Sequence, residues 1–268
     1  MIHRGYAFRS RWPVLCLLLL MAACQPQPVP ASPEPVTLQL VAADSCEPVV
    51  ASAAEAYSSV RPWVTVRYDV YNTALAEQVL REGAAEMALL TWLSDSGEAE
   101  DSLWIESLGR DGVAVIVHPE SPIAEIGLAQ LREVFAGRLQ DWGGATITAV
   151  SREDGSGTRA AFDSVVLDGV SPSLSAVVMP SSGAVVEYVA RTPGAIGYVA
   201  VEHLNSSVRA LPIEGILPTR EVIDAGQYPL WRQLFLVSHG EPTGEAREFA
   251  QWLIAQGVKV PPVVPEQP

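Results

Sequence analysis

The densest set of residues able to do chemistry is the run Arg152-Glu153-Asp154-Gly155-Ser156-Gly157-Thr158. It follows a β-rich stretch at 147–151 and leads into a helical pattern at 157–167, with Ser156 placed to cap the helix. Backbone N–H groups at such a helix start have no intrahelical acceptor and favour negative charge. Together with the Ser156 and Thr158 hydroxyls and the Arg152 guanidinium, they would form a pocket for an oxyanion. Asp154, two residues after Arg152, is placed to hold that guanidinium in position. Spacing alone describes equally well a glycine-rich strand-to-helix turn with a capping serine.

Two more strand ends repeat the theme. Asp44-Ser45-Cys46-Glu47-Pro48 follows the first apolar stretch, with Ser45 a plausible N-cap and Pro48 tolerated in the first turn. Asn72-Thr73-Ala74 follows a second β-rich run and opens another helix. Three helix starts at the carboxyl ends of strands would line a crevice in an open α/β sheet, although each alone is an ordinary cap. Catalytic patterns are missing. Gly155-Ser156-Gly157 is not a Gly-x-Ser-x-Gly nucleophile elbow, and His118, His203 and His239 are too scattered for a metal site. The phosphate-binding Gly-Lys-Ser/Thr loop of nucleotide hydrolases is also absent, since Lys259 is the chain's only lysine. The expectation is a non-enzyme with no catalytic residue, no metal and no cofactor.

The elements that would position these residues alternate along the chain. Strands are expected at 37–42, 64–70, 87–90, 113–118, 147–151, 177–179, 196–201, 208–211 and 234–238, and helices at 47–58, 74–82, 128–135, 157–167, 183–191 and 244–255. That is an α/β chain with mostly parallel sheets. The 268 residues carry a formal charge of −14, so a polyanionic partner would meet repulsion and nucleic-acid binding is not expected. Arg4, Arg9 and Arg11 precede an apolar run at 14–23 that is too short to span a bilayer and reads as an export signal. Met21-Ala22-Ala23-Cys24 resembles a bacterial lipobox, which would make Cys24 a lipidation site and residues 1–23 a lipoprotein signal peptide. Cleavage there would remove three arginines and take the charge to −17. Of the three cysteines this leaves Cys46 without a plausible disulfide partner in the folded part. Residues 24–36 read as a Pro-rich tether and 261–268 as a Pro-rich tail, with the folded body between about 37 and 260.

Arg152-Glu153-Asp154-Gly155-Ser156-Gly157-Thr158 resembles the Arg-x-Asp-Gly-Ser-Gly-Thr signature of the phosphate-binding lipoproteins that serve ABC importers. The run 128–137 followed by Asp141-Trp142, the segment Gly194-Ala195-Ile196-Gly197-Tyr198, the segment Gly215-Ile216-Leu217-Pro218-Thr219, and Gly226-Gln227-Tyr228-Pro229-Leu230-Trp231-Arg232 are similar to further motifs of that family, in the same order. The resemblance implies a two-lobed type 2 periplasmic binding protein with a ligand cleft between lobes. Lobe 1 would be 37–118 plus 206–260 and lobe 2 would be 119–205, with crossovers near 117–122 and 201–207. It further implies Arg152, Ser156, Gly157 and Thr158 as ligands from lobe 2, Gly157 through its backbone alone. Ser45, Cys46 (through its backbone N–H) and Thr73 would bind from lobe 1. Where the family carries an aspartate after the third strand, this chain has Thr91, with Asp95 nearby in the same loop. A neutral Thr91 lacks the carboxylate that would repel a fully ionised anion. The implied function is a monomeric, lipid-anchored extracytoplasmic receptor passing inorganic phosphate to an ABC permease. The alternatives are another oxyanion such as sulfate, tungstate or molybdate on the same scaffold, or a repurposed surface or signalling module.

Overall fold

In the computed structural model the described residues are Met1, 33–94 and 103–257. Cys24, Asp95, the signal, most of the tether and the tail lie outside them. The folded body runs from Pro35 onward as one compact unit.

Strand β1 (Val36–Ala43) ends in a 3-10 turn (Asp44–Cys46) and feeds helix α1 (Glu47–Val60); β2 (Val64–Tyr71), α2 (Thr73–Arg81) and β3 (Met87–Leu90) follow. β4 (Leu103–Val117) leads to α3 (Leu128–Phe135), the small hairpin β5 (Asp141–Trp142) and β6 (Ala145–Thr146), then β7 (Thr148–Arg152) and α4 (Gly157–Phe162). β8 (Val177–Met179), α5 (Ser182–Arg191), β9 (Ala195–Ala200), β10 (Arg209–Ala210), α6 (Arg220–Asp224), β11 (Trp231–His239) and α7 (Gly244–Gln256) complete the chain. The main sheet has the order β2-β1-β3-β11-β4-β9-β7-β8, with β10 paired to β4.

Two parallel clusters, β2-β1-β3 and β9-β7-β8, are joined by the antiparallel pair β11 and β4. The sheet is thus mixed where mostly parallel pairing was expected, because a chain that crosses between two halves and returns must run both ways. β4 spans both halves: residues 103–112 pair with β11, and Val113–Val117 pair with β9. Only the second part of this strand was expected. Its first part, Leu103 to Arg110, mixes exposed and half-buried positions with no clean alternation.

Each half covers both faces of its sheet, as buried parallel strands require. In the first half, Leu38, Leu40, Tyr57, Val64 and Phe249 pack on one face and Val41, Leu80, Leu90 and Val237 on the other. In the second, Val115, Phe135, Phe162, Tyr198 and Tyr228 form one cluster and Ile116, Val150, Val185 and Val199 the opposite one. Phe162 stacks on Tyr198 at 4.0 Å between ring centroids.

The crossings differ from the sequence expectation. Strand pairing places the outward crossing at Gly112–Val113 rather than 117–122. The return lies at Leu230–Trp231 rather than 201–207, because Leu211, Ile213, Ile223 and Tyr228 pack in the second half. Val113 N–H donates to the Leu230 carbonyl at 2.8 Å and Gly112 pairs with Trp231, so both crossings lie side by side. Residues 206–230 therefore belong with the second half. Their apolar positions are too short and irregular to show which sheet they cover.

Candidate functional site

Three helix starts meet where the two halves touch. At the first, β1 runs buried to Ala43 and stops at Asp44, and Pro48 supplies the fixed φ suited to a first helical turn. Ser45 does not act as the expected cap: its hydroxyl makes no capping bond, and it meets Cys46 Sγ at 4.0 Å. At the second, Asn72 Oδ1 accepts the Leu75 N–H at 2.9 Å, which leaves Thr73 as the first helical residue with its side chain fully buried. The third is the Gly155-Ser156-Gly157 turn. Gly155 takes φ +84°, a left-handed conformation that glycine adopts without Cβ strain, and its carbonyl accepts Ala74 N–H at 3.0 Å across the interface. Ser156 Oγ caps α4 by accepting Arg159 N–H at 3.3 Å.

Gly157 is where these starts converge. Its N–H donates to Thr73 Oγ1 at 3.0 Å. A Cβ built on Gly157 would collide with Thr91 Oγ1 and stand 2.6 Å from Thr73 Oγ1, so only glycine permits this approach. Thr91 Oγ1 is buried with no hydrogen-bond partner among the described residues. In the first turn of α4, the Thr158 N–H likewise has no acceptor among the described residues. The structure thus brings together Thr73, Thr91 and Gly157, with Ser156 and Thr158 on either side of Gly157 in sequence, all buried; Ser45 and Cys46 are buried as well, next in sequence to Asp44, which reaches Arg152.

Arg152 lies beside them with no exposed surface. Its Nε donates to Glu153 Oε2 at 2.9 Å, and its Nη2 to Asp44 Oδ1 at 2.9 Å and Glu153 Oε1 at 3.0 Å. Nη1 donates to Ser182 Oγ at 3.0 Å. Four of the five guanidinium N–H groups are thereby engaged. The orienting role expected of Asp154 falls instead to Asp44 and Glu153. Asp154 points outward, its side chain 96 % exposed, and pairs with Arg159 at 2.8 Å. Asp44 also accepts the Ser182 N–H at 2.9 Å through Oδ2, where a carboxylate meets the positive end of α5. Burial would raise the Asp44 carboxyl, but the Arg152 charge and the bonds from Arg152 and Ser182 outweigh it and hold it below the ordinary carboxylate range.

A second buried polar set borders the site. Arg232 donates to Asp111 Oδ2 from Nε (2.7 Å) and Nη2 (2.5 Å), and to Thr158 Oγ1 from Nη1 at 2.9 Å. Glu202, in the 3-10 turn after β9, is buried next to Asp111, and its Oε2 has no partner among the described residues. The Cys46 thiol is pushed well up by burial, so it remains protonated and unreactive.

Asp44, Ser182, Asp111, Glu202 and Arg232 were not identified from sequence. For three of them the one signal was a charged residue in or beside an apolar strand: Asp44 follows β1, Asp111 precedes the Val113–Val117 run, and Arg232 is the second residue of β11. His118 follows β4 and accepts the Glu120 N–H at 3.2 Å through Nδ1, a turn contact away from the site. Among the described residues no cluster of three His, Cys, Asp or Glu side chains is grouped for a metal, and no helix is long and apolar enough to cross a membrane.

Comparison with known proteins shows the family. Residues 28–256 match the model of the PBP superfamily domain. The chain is 30% identical over 231 residues to the phosphate-binding protein PstS of Bacillus subtilis (strain 168), covering 83% of this chain and 77% of that protein. A crystal structure from Clostridium perfringens, described as a phosphate ABC transporter substrate-binding protein with bound phosphate, superposes with a TM-score of 0.75 at 26% identity, over 82% of this chain and 91% of that one. An ABC-type phosphate transport receptor from Vibrio cholerae has the same fold, with a TM-score of 0.67 at 22% identity over 85% of this chain and all of that one. The chain belongs to the PBP superfamily and, within it, to the PstS family of two-lobed α/β binding proteins.

Proposed function

We propose that the protein binds inorganic phosphate between its two halves and delivers it to an ABC permease outside the cytoplasm. The observation that carries this reading is the polarity of the hydrogen bonds around Gly157. Thr73 Oγ1 accepts from Gly157 N–H and Ser156 Oγ from Arg159 N–H, so each hydroxyl keeps its own proton for an outgoing bond. Among the described residues neither proton has an acceptor. Thr91 Oγ1 and the Thr158 N–H are buried and unpaired beside them. A site that presents donors in this density suits a ligand made of acceptors, and an oxyanion is such a ligand. The names of the related proteins supply phosphate as the anion.

Charge at the site is modest. Arg152 is neutralised by Asp44 and Glu153, and Arg232 by Asp111, so binding rests on directed N–H and O–H groups rather than on excess positive charge. The overall acidity of the chain opposes little at this range, because long-range repulsion is screened beyond about 8 Å at physiological ionic strength. Ser45, Thr73, Thr91, Ser156 and Thr158 would donate from their hydroxyls, Cys46 and Gly157 from their backbones, and Arg152 would supply its remaining N–H. No catalytic step is assigned. Anchoring through a lipid on Cys24 and a monomeric state belong to the same proposal.

Another oxyanion is the second reading, favoured by the neutral Thr91. Thermal shift with phosphate, sulfate, tungstate and molybdate on ligand-stripped protein separates the two, because a ligand held only by the folded state raises the melting temperature. A selective rise with phosphate is expected. A larger rise with sulfate, tungstate or molybdate would replace phosphate as the ligand.

A further inference from the structure

Arg232 and Asp111 face each other as a cross-strand pair on β11 and β4. They sit one residue from the two side-by-side crossings, Gly112–Val113 and Leu230–Trp231. Both are buried, Asp111 at 4 % and Arg232 at 5 % exposure. An ion pair of this kind gains little over well-packed apolar side chains, so stability alone does not account for it. Among the described residues the one hydrogen bond Arg232 makes outside the pair is to Thr158 Oγ1, from Nη1 at 2.9 Å.

That contact has a chemical consequence. A hydroxyl has one proton and two acceptor lone pairs, whereas a guanidinium can only donate. With Arg232 occupying its acceptor side, the Thr158 hydroxyl is left to donate. Thr158 is wholly buried at the start of α4, one residue after Gly157. We infer that Arg232 is a positioning residue of the ligand site, which fixes the Thr158 hydroxyl as a donor toward the bound anion and ties the start of α4 to the crossing strands. The inference rests on the reading of this site as an oxyanion site.

Glu202 completes the set. Burial and the neighbouring Asp111 carboxylate push its carboxyl well up. Asp111 is the ion-pair partner of Arg232, and its Oδ1 accepts the Gly112 N–H at 2.6 Å. Arg232 therefore acts on the ligand through Thr158 as an aimed hydrogen bond and not as a free charge.

The test is a double-mutant cycle on phosphate affinity, measured by calorimetry on the stripped protein with Arg232→Met, Thr158→Val and the combined variant. If Arg232 works through the hydroxyl, each single variant weakens binding by about 10-fold or more, the scale of a hydrogen bond to a charged group. The double variant then binds within about 3-fold of Thr158→Val alone, and Thr158→Ser, which keeps the hydroxyl, restores most of the affinity. If Arg232→Met alone leaves Asp111 unpaired and does not fold, the charge-balanced Arg232→Met/Asp111→Asn background takes its place in the same cycle. Losses that multiply independently, or an Arg232→Met protein that binds like wild type, would overturn the inference while leaving phosphate binding intact. A wild-type protein that binds no oxyanion would overturn both.

Discussion

Gly157→Ala is the sharpest single perturbation of the site, because local propensity and tertiary geometry pull in opposite directions. On propensity alone, alanine in a helix is favoured over glycine by about 1 kcal/mol. The geometry reverses this, since the new Cβ would collide with Thr91 Oγ1 and stand 2.6 Å from Thr73 Oγ1. Both hydroxyls belong to the first half of the molecule, which is fully packed behind them: Thr73 is wholly buried and Leu89 and Leu90 precede Thr91 with no exposed surface. Close-packed neighbours cannot retreat, so the start of α4 must move away from Thr73 and Thr91. Separating the halves at this point costs the ligand its donors from one side. Two hydrogen bonds to a charged group at about 1.5–3 kcal/mol each correspond to a loss of about 100-fold to 20,000-fold in affinity. Calorimetric titration with phosphate measures this directly, alongside a melting curve of the unliganded protein. Affinity within about 3-fold of wild type would refute the convergence of Thr73, Thr91 and Gly157 on one ligand.

Thr91→Val should act oppositely on stability and binding. Removing a buried, unpaired hydroxyl relieves about 1–3 kcal/mol and raises the melting temperature of the unliganded protein by several degrees, while phosphate affinity falls about 10-fold or more. A variant that melts lower and binds normally would place the hydroxyl in the fold instead. Arg152→Met leaves Asp44 and Glu153 without their cation, so melting should drop by about 10 °C and binding should be lost together with it; an unchanged melting curve would show that the ion pairs contribute nothing. Glu202 and Asp44 set opposite pH dependences. The raised Glu202 carboxyl contributes stability that is complete below its unfolded value of about 4.3 and is lost as pH rises through its folded value. The depressed Asp44 carboxyl contributes stability above its unfolded value that is lost as pH falls through its folded one. Glu202→Gln, an uncharged amide, should therefore flatten the decline in melting temperature on the alkaline side only, and parallel curves for the two proteins would contradict the upward shift of the Glu202 carboxyl.

Local signals carried much of the fold. β3 was expected at 87–90 and is found at Met87–Leu90, and Ser156 caps α4 as its spacing with Gly157 implied. The loop glycines and hydroxyls at 155–158 were legible for the same reason, since a helix start and its donors are written in consecutive residues. What was not legible depends on contacts far apart in the chain. Asp44 lies 108 positions from Arg152 and 138 from Ser182, and nothing local to Asp154 shows that Arg159 takes it away from Arg152. Arg232 reaches Thr158 across 74 positions and Asp111 across 121, so its role follows from strand pairing alone. The displaced crossings have the same origin: β4 is a single strand shared by both halves, and no break in its sequence marks where one partner gives way to the other. Residues 206–230 are mostly short connections whose sheet is chosen by packing of Leu211, Ile213, Ile223 and Tyr228 in the cluster of Phe135 and Phe162 rather than by periodicity.

The most direct test of phosphate binding between the two halves is a calorimetric titration of residues 25–268, stripped of bound ligand, with phosphate and separately with sulfate at neutral pH. Saturable one-to-one binding of phosphate, with sulfate far weaker, is the predicted result. Absence of heat and of any melting shift with either anion would contradict it.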